Sequence, residues 1–333
     1  MRIKLAYTSS AKVAARLLEL RESGGSSALG RVLTLVVVVP SPADVEDALA
    51  ATTAASLEHP CRVIVVTGSC ATCSEAGAAE VGMDDAAAPA NGAVTPCEEP
   101  RLDAEIRVGR GAGASDIVVL NGRGEVGGPE TLIAPLLLPD SPIVVWWPTD
   151  PPKAPSQDPL GKLAHRRITD SRGTQNPIER LKELAQQHVP GDSDLSWSGV
   201  TIWRSLIVLA AGEPPLAPIT SVDVWGSATH PAGRLIGAWL RVQLGVPVRM
   251  HINPEAATVN RVVLHRETGD VEIDRPVGSA VAVLRRPGVP DVSLALPRRT
   301  TADCLMEELR RLDVDAIYAK VISQGLELVE EVQ

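Results

Sequence analysis

Three cysteines fall within one stretch of the chain: Cys70 and Cys73 in a Cys-Ala-Thr-Cys pattern, and Cys97 further along. Two thiols separated by two residues can close a disulfide, and a lowered thiol pKa makes such a pair redox active. A zinc site needs four ligands, usually a second CxxC or a pair of histidines, and the local sequence lacks the fourth. A tolerated pair in a variable loop, a redox pair and a metal site are therefore all open readings of these residues.

A second candidate is His165-Arg166-Arg167, flanked by Asp158 and Asp170. Arginine pairs in bidentate fashion with phosphate or carboxylate, so this patch could grip a phosphate or an acidic partner surface. The alternative is a solvated helix end, where cations are favourable near the C-terminus. Tryptophan is the third signal. The chain has no Phe, two Tyr and six Trp, and it places Trp146 and Trp147 side by side. Trp197 and Trp203-Arg204 follow, a pairing of Trp and Arg that is also the composition of an interface hot spot. Neighbouring strand residues point to opposite faces, so one of Trp146 and Trp147 is expected in a core. The other is expected outward, against the second domain or a partner; Trp147 at the domain interface is the reading preferred here. Gly109-Arg-Gly-Ala-Gly-Ala resembles a phosphate-cradling loop, but its spacing fits neither GxGxxG nor GxxxxGK[ST], and a flexible turn between strands is favoured. The six histidines are scattered, without HExxH or any visible nucleophile–base pairing, which argues against an enzyme.

The elements that must position these residues follow from periodicity. Ser9 to Arg21 is amphipathic at helical spacing. LGRVLTLVVVVP and CRVIVVTG read as strands buried on both faces, joined by the helix PADVEDALAATTAASLEH: a βαβ unit. RLDAEIRVGR alternates like a half-buried strand, DIVVL and SPIVVWW read as further strands, and PETLIAPLLLP as a short helix. PTDPPKAPSQDP reads as a stiff loop or linker, and DPLG as a short helix closed by AHRRITDS. NPIERLKELAQQH is a helix with Pro177 at its first position, and WSGVTIWRSLIVLAAG looks like a buried helix. Then come the strand ITSVDVWG, the helix PAGRLIGAWLRVQLG and the strand VPVRMHI. Two hairpins turn near Gly269 and Gly288, and two helices end the chain. The fold class expected is α/β with two domains. The first half should form a mixed-sheet α/β layer domain carrying a long loop over 68–100, and the second half an α+β domain with antiparallel hairpins.

The totals set limits. A net charge of −9 supplies no broad positive field, so nucleic acid is not an expected partner. No apolar run approaches the roughly 20 residues of a membrane span. The first residues lack the apolar core and cleavage site of a secretory signal, so a cytoplasmic location is expected, with no membrane partner, cofactor or bound metal.

The same segments, in order, resemble the glucose-6-phosphate dehydrogenase assembly protein family, the OpcA family in its actinobacterial form. The match is carried by LGRVLTLVVVV (29–39), EHPCRVIVV (58–66), RLDAEIRVG (101–109) and LLLPDSPIVVWWP (136–148). It continues through DPLGKLAHRRITDS (158–171), PGDSDLSWSGVTIWR (190–204) and LPRRTTADCLMEELRRLDVDAIYAKVI (296–322). Residues 68–100 depart from the family pattern, as do Ser196 and Ser198-Gly199-Val200. The resemblance implies two domains meeting near residue 170, residues 1–170 and 171–333, and a non-catalytic accessory protein. Such a protein would bind glucose-6-phosphate dehydrogenase and promote its assembly and activity, supporting NADPH production. The contact residues expected on residue type and matched blocks are Trp146, Trp147, His165, Arg166, Arg167, Trp197, Trp203 and Arg204. Two other functions are compatible with the sequence: a sugar-phosphate enzyme resembling a lactone hydrolase, and a thiol sensor built on Cys70, Cys73 and Cys97.

Overall fold

The structure, a computed structural model, describes residues 1–24, 32–56, 58–68, 99–108, 116–124, 126–212 and 217–332. Cys70, Cys73, Cys97 and the glycine run at 109–114 lie outside the described residues.

The first half builds one sheet. Strand β1 (Arg2–Leu5) precedes α1 (Ser10–Gly24), and β2 (Leu33–Val39), α2 (Val45–Ser56) and β3 (Cys61–Thr67) form the expected unit. Strands β4 (Arg101–Val108) and β5 (Asp116–Arg123), α3 (Pro129–Ile133), β6 (Ile143–Trp147) and β7 (Arg166–Thr169) follow. After α4 (Pro177–Gln186), β8 (Asp192–Asp194) completes eight strands in the order β1-β4-β5-β3-β2-β6-β7-β8. The run β5-β3-β2-β6-β7-β8 is parallel, while β4 lies antiparallel to both β5 and β1. A parallel sheet must be covered on both faces, and this one is. One face packs Leu35, Val37, Val63 and Trp146 under α2. The other packs Val36, Ile64, Val145 and Trp147 under α1 and α3.

Short helices α5 (Leu195–Gly199) and α6 (Thr201–Ala211) lead into the second half. There β9 (Ile219–Gly226), α7 (Ala232–Leu244), β10 (Val248–Ile252), β11 (Arg261–Arg266), β12 (Val271–Asp274), β13 (Val281–Arg286) and β14 (Val289–Ala295) follow. Helices α8 (Thr301–Arg310) and α9 (Ala316–Lys320), a π-helical turn over Val321–Gly325 and β15 (Glu330–Val332) end the chain. The second sheet has the order β14-β13-β12-β11-β9-β10-β15, antiparallel from β14 to β9 and parallel from β9 to β15. Its covered face packs Val222, Val224, Val262 and Leu284 against Trp203, Trp239 and Tyr318. The two-domain α/β class is as expected.

Several local expectations change. His165-Arg166-Arg167 does not end a helix: Arg166 and Arg167 sit in β7, 4% and 8% exposed. The reason is pairing, since each guanidinium meets a carboxylate, Arg166 on the buried Glu308 and Arg167 on the partly buried Asp192. Gly191 makes room for the second pair. It adopts φ 95°, and a Cβ there would lie 2.9 Å from both the His165 carbonyl oxygen and Nη2 of Arg167. The proline-rich stretch after Trp147 is not a linker between domains. It carries the chain from β6 to β7 within one sheet. Helix α6 is buried on one side only, with Trp203, Ile207 and Ala210 inward and Val208 and Leu209 exposed.

The two adjacent tryptophans divide as strand geometry requires, but neither points outward. Trp146 and Trp147 are 1% and 3% exposed. Trp147 does not lie at the domain interface; it packs with Val13, Leu17, Ile133 and Leu160, all from the first half. It is Trp146 that shares its core with Leu195, Cys304 and Leu305. We expect Trp146→Ala and Trp147→Ala each to cost about 3–5 kcal/mol of stability, since both create large core voids. Urea denaturation checks this, and a loss below about 1 kcal/mol for either would contradict its packing role.

Candidate partner-binding groove

Six of the eight expected contact residues are committed to the interior: Trp146, Trp147, Arg166, Arg167, Trp197 and Trp203 are all buried. Their surfaces are used within the chain, because each indole or guanidinium has found packing or a partner inside it. His165 is exposed, its Nδ1 accepting from the Ile143 N–H at 3.1 Å, beside the start of β6. Arg204 is half-buried.

Three of the eight nevertheless come together. Arg166, Trp197 and Arg204 line one open groove of about 950 Å³ between α6 and the α8–α9 segment. The Arg204 guanidinium lies 3.7 Å over the Trp197 ring, a cation–π stack. Below it, the indole N–H of Trp197 donates to Oδ2 of Asp315 at 2.9 Å. Asp315 also caps α9, accepting from the Ile317 and Tyr318 N–H groups. Arg166 donates from Nη2 to Oε2 of Glu308 at 2.5 Å and from Nη1 to the Asp313 carbonyl at 2.8 Å. Burial pushes the Glu308 carboxyl up, while the charge of Arg166 pulls it back. Burial also lowers the pKa of Arg204, despite the acids Asp315 and Glu307 near it. Its Nη2 donates to Thr201, whose hydroxyl donates in turn to Oε1 of Glu307 at 2.7 Å.

The rim is apolar. Val208, Val314 and Ile317 are 60%, 52% and 47% exposed, flanked by Arg310 and Arg311. A rigid, hydrogen-bonded floor of Trp and Arg under an apolar and basic rim suits a protein surface. The sequence offered one signal for it, the Trp-Arg spacing, but not the meeting of those residues with the α8–α9 segment.

A second cluster escaped the sequence reading altogether. On the open face of the second sheet, Asp223 accepts from Arg249 at 2.8 Å and contacts Nε2 of His251 at 2.7 Å and Nε2 of His265 at 2.6 Å. Trp225 stacks on His251 at 4.5 Å, with Arg261 over its ring. Burial would raise Asp223, but hydrogen bonds from His251, His265 and Arg249 outweigh it and hold its carboxyl below the usual range. These residues are distant in sequence and meet only because β9, β10 and β11 are neighbours in the sheet.

The fold is that of a two-domain α/β protein, and comparison with known families agrees. Residues 52–186 match the glucose-6-phosphate dehydrogenase subunit N-terminal domain, and residues 190–322 match the corresponding C-terminal domain. The chain belongs to the OpcA family of glucose-6-phosphate dehydrogenase assembly proteins. No curated protein matches the chain. Among the described residues no helix is long and apolar enough to cross a membrane.

The Asp223 cluster gives a pH prediction. Burial alone would lower the His265 pKa, but its bonds to Asp223 and Asp270 raise it above the ordinary value. The imidazolium therefore contributes stability that is complete below about pH 6.5 and is lost as pH rises through the folded pKa. Comparing urea midpoints at about pH 6 and about pH 9, the wild type should lose more than His265→Asn. Equal losses in the two proteins would remove this role for His265.

Proposed function

We propose that this chain is a non-catalytic assembly factor that binds glucose-6-phosphate dehydrogenase and favours its active oligomer. In that role it supports NADPH formation in the oxidative pentose phosphate pathway. Membership of the assembly family supports the partner. The groove between α6 and the α8–α9 segment supports the contact, and it is the observation that carries the reading. There the Arg204–Trp197 stack forms a fixed floor and Val208, Val314 and Ile317 present apolar surface. Arg204 and these three rim residues are the proposed contacts, with Arg166 and Trp197 acting beneath them as supports. The hydride transfer and its nicotinamide site belong to the dehydrogenase.

The mechanism is a population shift. A factor that binds the oligomer more tightly than its parts moves the equilibrium by its differential affinity, and a tenfold preference is worth about 1.4 kcal/mol. A preformed groove helps, because little ordering entropy is lost on binding.

Mixing the purified chain with the dehydrogenase of the same host should raise the rate of NADPH formation and shift the enzyme to a larger sedimenting species. Val208→Asp and Ile317→Asp should each weaken half-maximal activation by about tenfold or more, with the thermal midpoint of the chain unchanged. No change in rate or sedimentation on mixing would sink the function. Full activation by both variants would move the contact away from the groove and leave the function standing.

A further inference from the structure

A second cavity lies on the other side of α5 and α6 from the groove. It has a volume of about 130 Å³, and its wall carries Arg172, Arg275, Arg298, Arg299, His230 and Ser196. Four guanidinium groups around so small a space are unusual in a chain of net charge −9. Two of the four are neutralised by carboxylates. Arg172 donates from Nε and Nη2 to the two oxygens of Asp170, at 2.7 and 2.8 Å. Arg299 pairs with Glu307 and donates to the Ser198 and Asp303 carbonyls.

The other two meet no carboxylate among the described residues. Arg275 is 4% exposed, and its guanidinium donates only to backbone carbonyls, Leu296 at 3.1 Å and Val259 at 2.8 Å, with the Trp203 ring 5.4 Å away. Burial and the charge of Arg298 both lower its pKa, and no acid offsets them. A buried charge without a counter-charge is costly, so native proteins pair such groups. Arg298 is exposed at the mouth. His230 adds a neutral donor. Burial and the neighbouring Arg172, Arg298 and Arg275 push its pKa down to about 4. Its Nδ1 accepts the Ala232 N–H at 3.1 Å, which leaves the ring proton on Nε2.

We propose that this cavity binds a phosphoryl group, with Arg275 and Arg298 as the charge partners of its oxygens and His230 Nε2–H as a further donor. Guanidinium groups match phosphate oxygens in geometry and stay charged, which makes arginine the usual choice for this task. Size narrows the ligand. Ligand pockets usually run to about 300–1,000 Å³, so a space of about 130 Å³ takes the phosphoryl group itself, with any organic remainder at the mouth near Arg298. The site is separate from the groove proposed for the dehydrogenase and stands whether or not that contact is correct.

The test uses the full chain and inorganic phosphate, titrated at constant ionic strength against chloride and followed by thermal midpoint and calorimetry. Saturable binding with a raised midpoint is expected. Arg298→Ala, an exposed position, should fold as the wild type does and weaken the phosphate affinity about tenfold, the loss of roughly 1.4 kcal/mol. Arg275→Gln should weaken it further. A parallel titration with glycerol 3-phosphate distinguishes sources: tighter binding of the ester assigns a phosphorylated metabolite, tighter binding of phosphate assigns the free ion, and either supports the site. Equal responses to phosphate and chloride would overturn the proposal. So would an unchanged phosphate affinity in Arg298→Ala.

Discussion

The buried pair between Arg166 and Glu308 makes the two halves of the chain one structure. Arg166 stands in β7 of the first sheet, and Glu308 in α8, 142 residues later. The two side chains are only 4% and 5% exposed. Either charge alone at that depth would be strongly destabilising, and removing one member of such a pair typically costs about 3–5 kcal/mol. Leu305 and Leu309, on the same helix, enter the core that holds Trp146, Leu35 and Val37. The first sheet therefore does not cover this face with α2 alone. It depends on a helix that the chain supplies only after β14, with most of the second sheet already in place.

This dependence bears on how the family domains relate to the physical ones. The family matches break between residues 186 and 190, just after α4. The first sheet does not stop there, nor at residue 170, because β8 adds a parallel strand at 192–194. At its end Asp194, wholly buried, accepts from the hydroxyls of Thr169 and Ser171 and from the N–H groups of Ser171 and Ser196. One carboxylate thus joins the end of β7 to the start of α5. The C-terminal family domain lends a strand and a helix to the N-terminal sheet, so the halves share a boundary layer rather than a flexible linker.

Elements whose pattern is set by local burial were legible in the sequence. Strand β4 alternates as RLDAEIRV predicts, and the hairpins turn at Gly269 and Gly288, both at positive φ. Helix α8 is preceded by its N-cap Thr300, in a capping box closed by Asp303, a signature written in four residues. What was not legible depends on partners far away in the chain. Arg166-Arg167 reads as solvated because charge normally avoids the interior, and only Glu308 and Asp192 make a strand of it. Strands β1, β8 and β15 are three or four residues long and partly charged, and each exists because a neighbouring strand offers an edge. The groove was half visible, as a Trp-Arg spacing. The arginine cavity was not, since Arg172, His230, Arg275 and Arg298 are separated by stretches of unrelated sequence.

The groove and the cavity also share a wall, and the wall is short. Helices α5 and α6 turn Ser196, Gly199, Ile202 and Trp203 toward the cavity and Trp197, Thr201 and Arg204 toward the groove. A hydrogen-bonded chain crosses between them. Arg299, on the cavity side, pairs with Glu307; Glu307 accepts from Thr201; Thr201 accepts from Arg204, which lies on Trp197 in the groove. An oxyanion that drew Arg299 inward would act on the same Glu307 that fixes Thr201 and Arg204. The position of the Arg204 guanidinium is thus set by charges on both sides of the wall. That is a physical connection of the kind through which coupling between two sites must run, and whether it carries coupling is a matter of differential affinity rather than of distance.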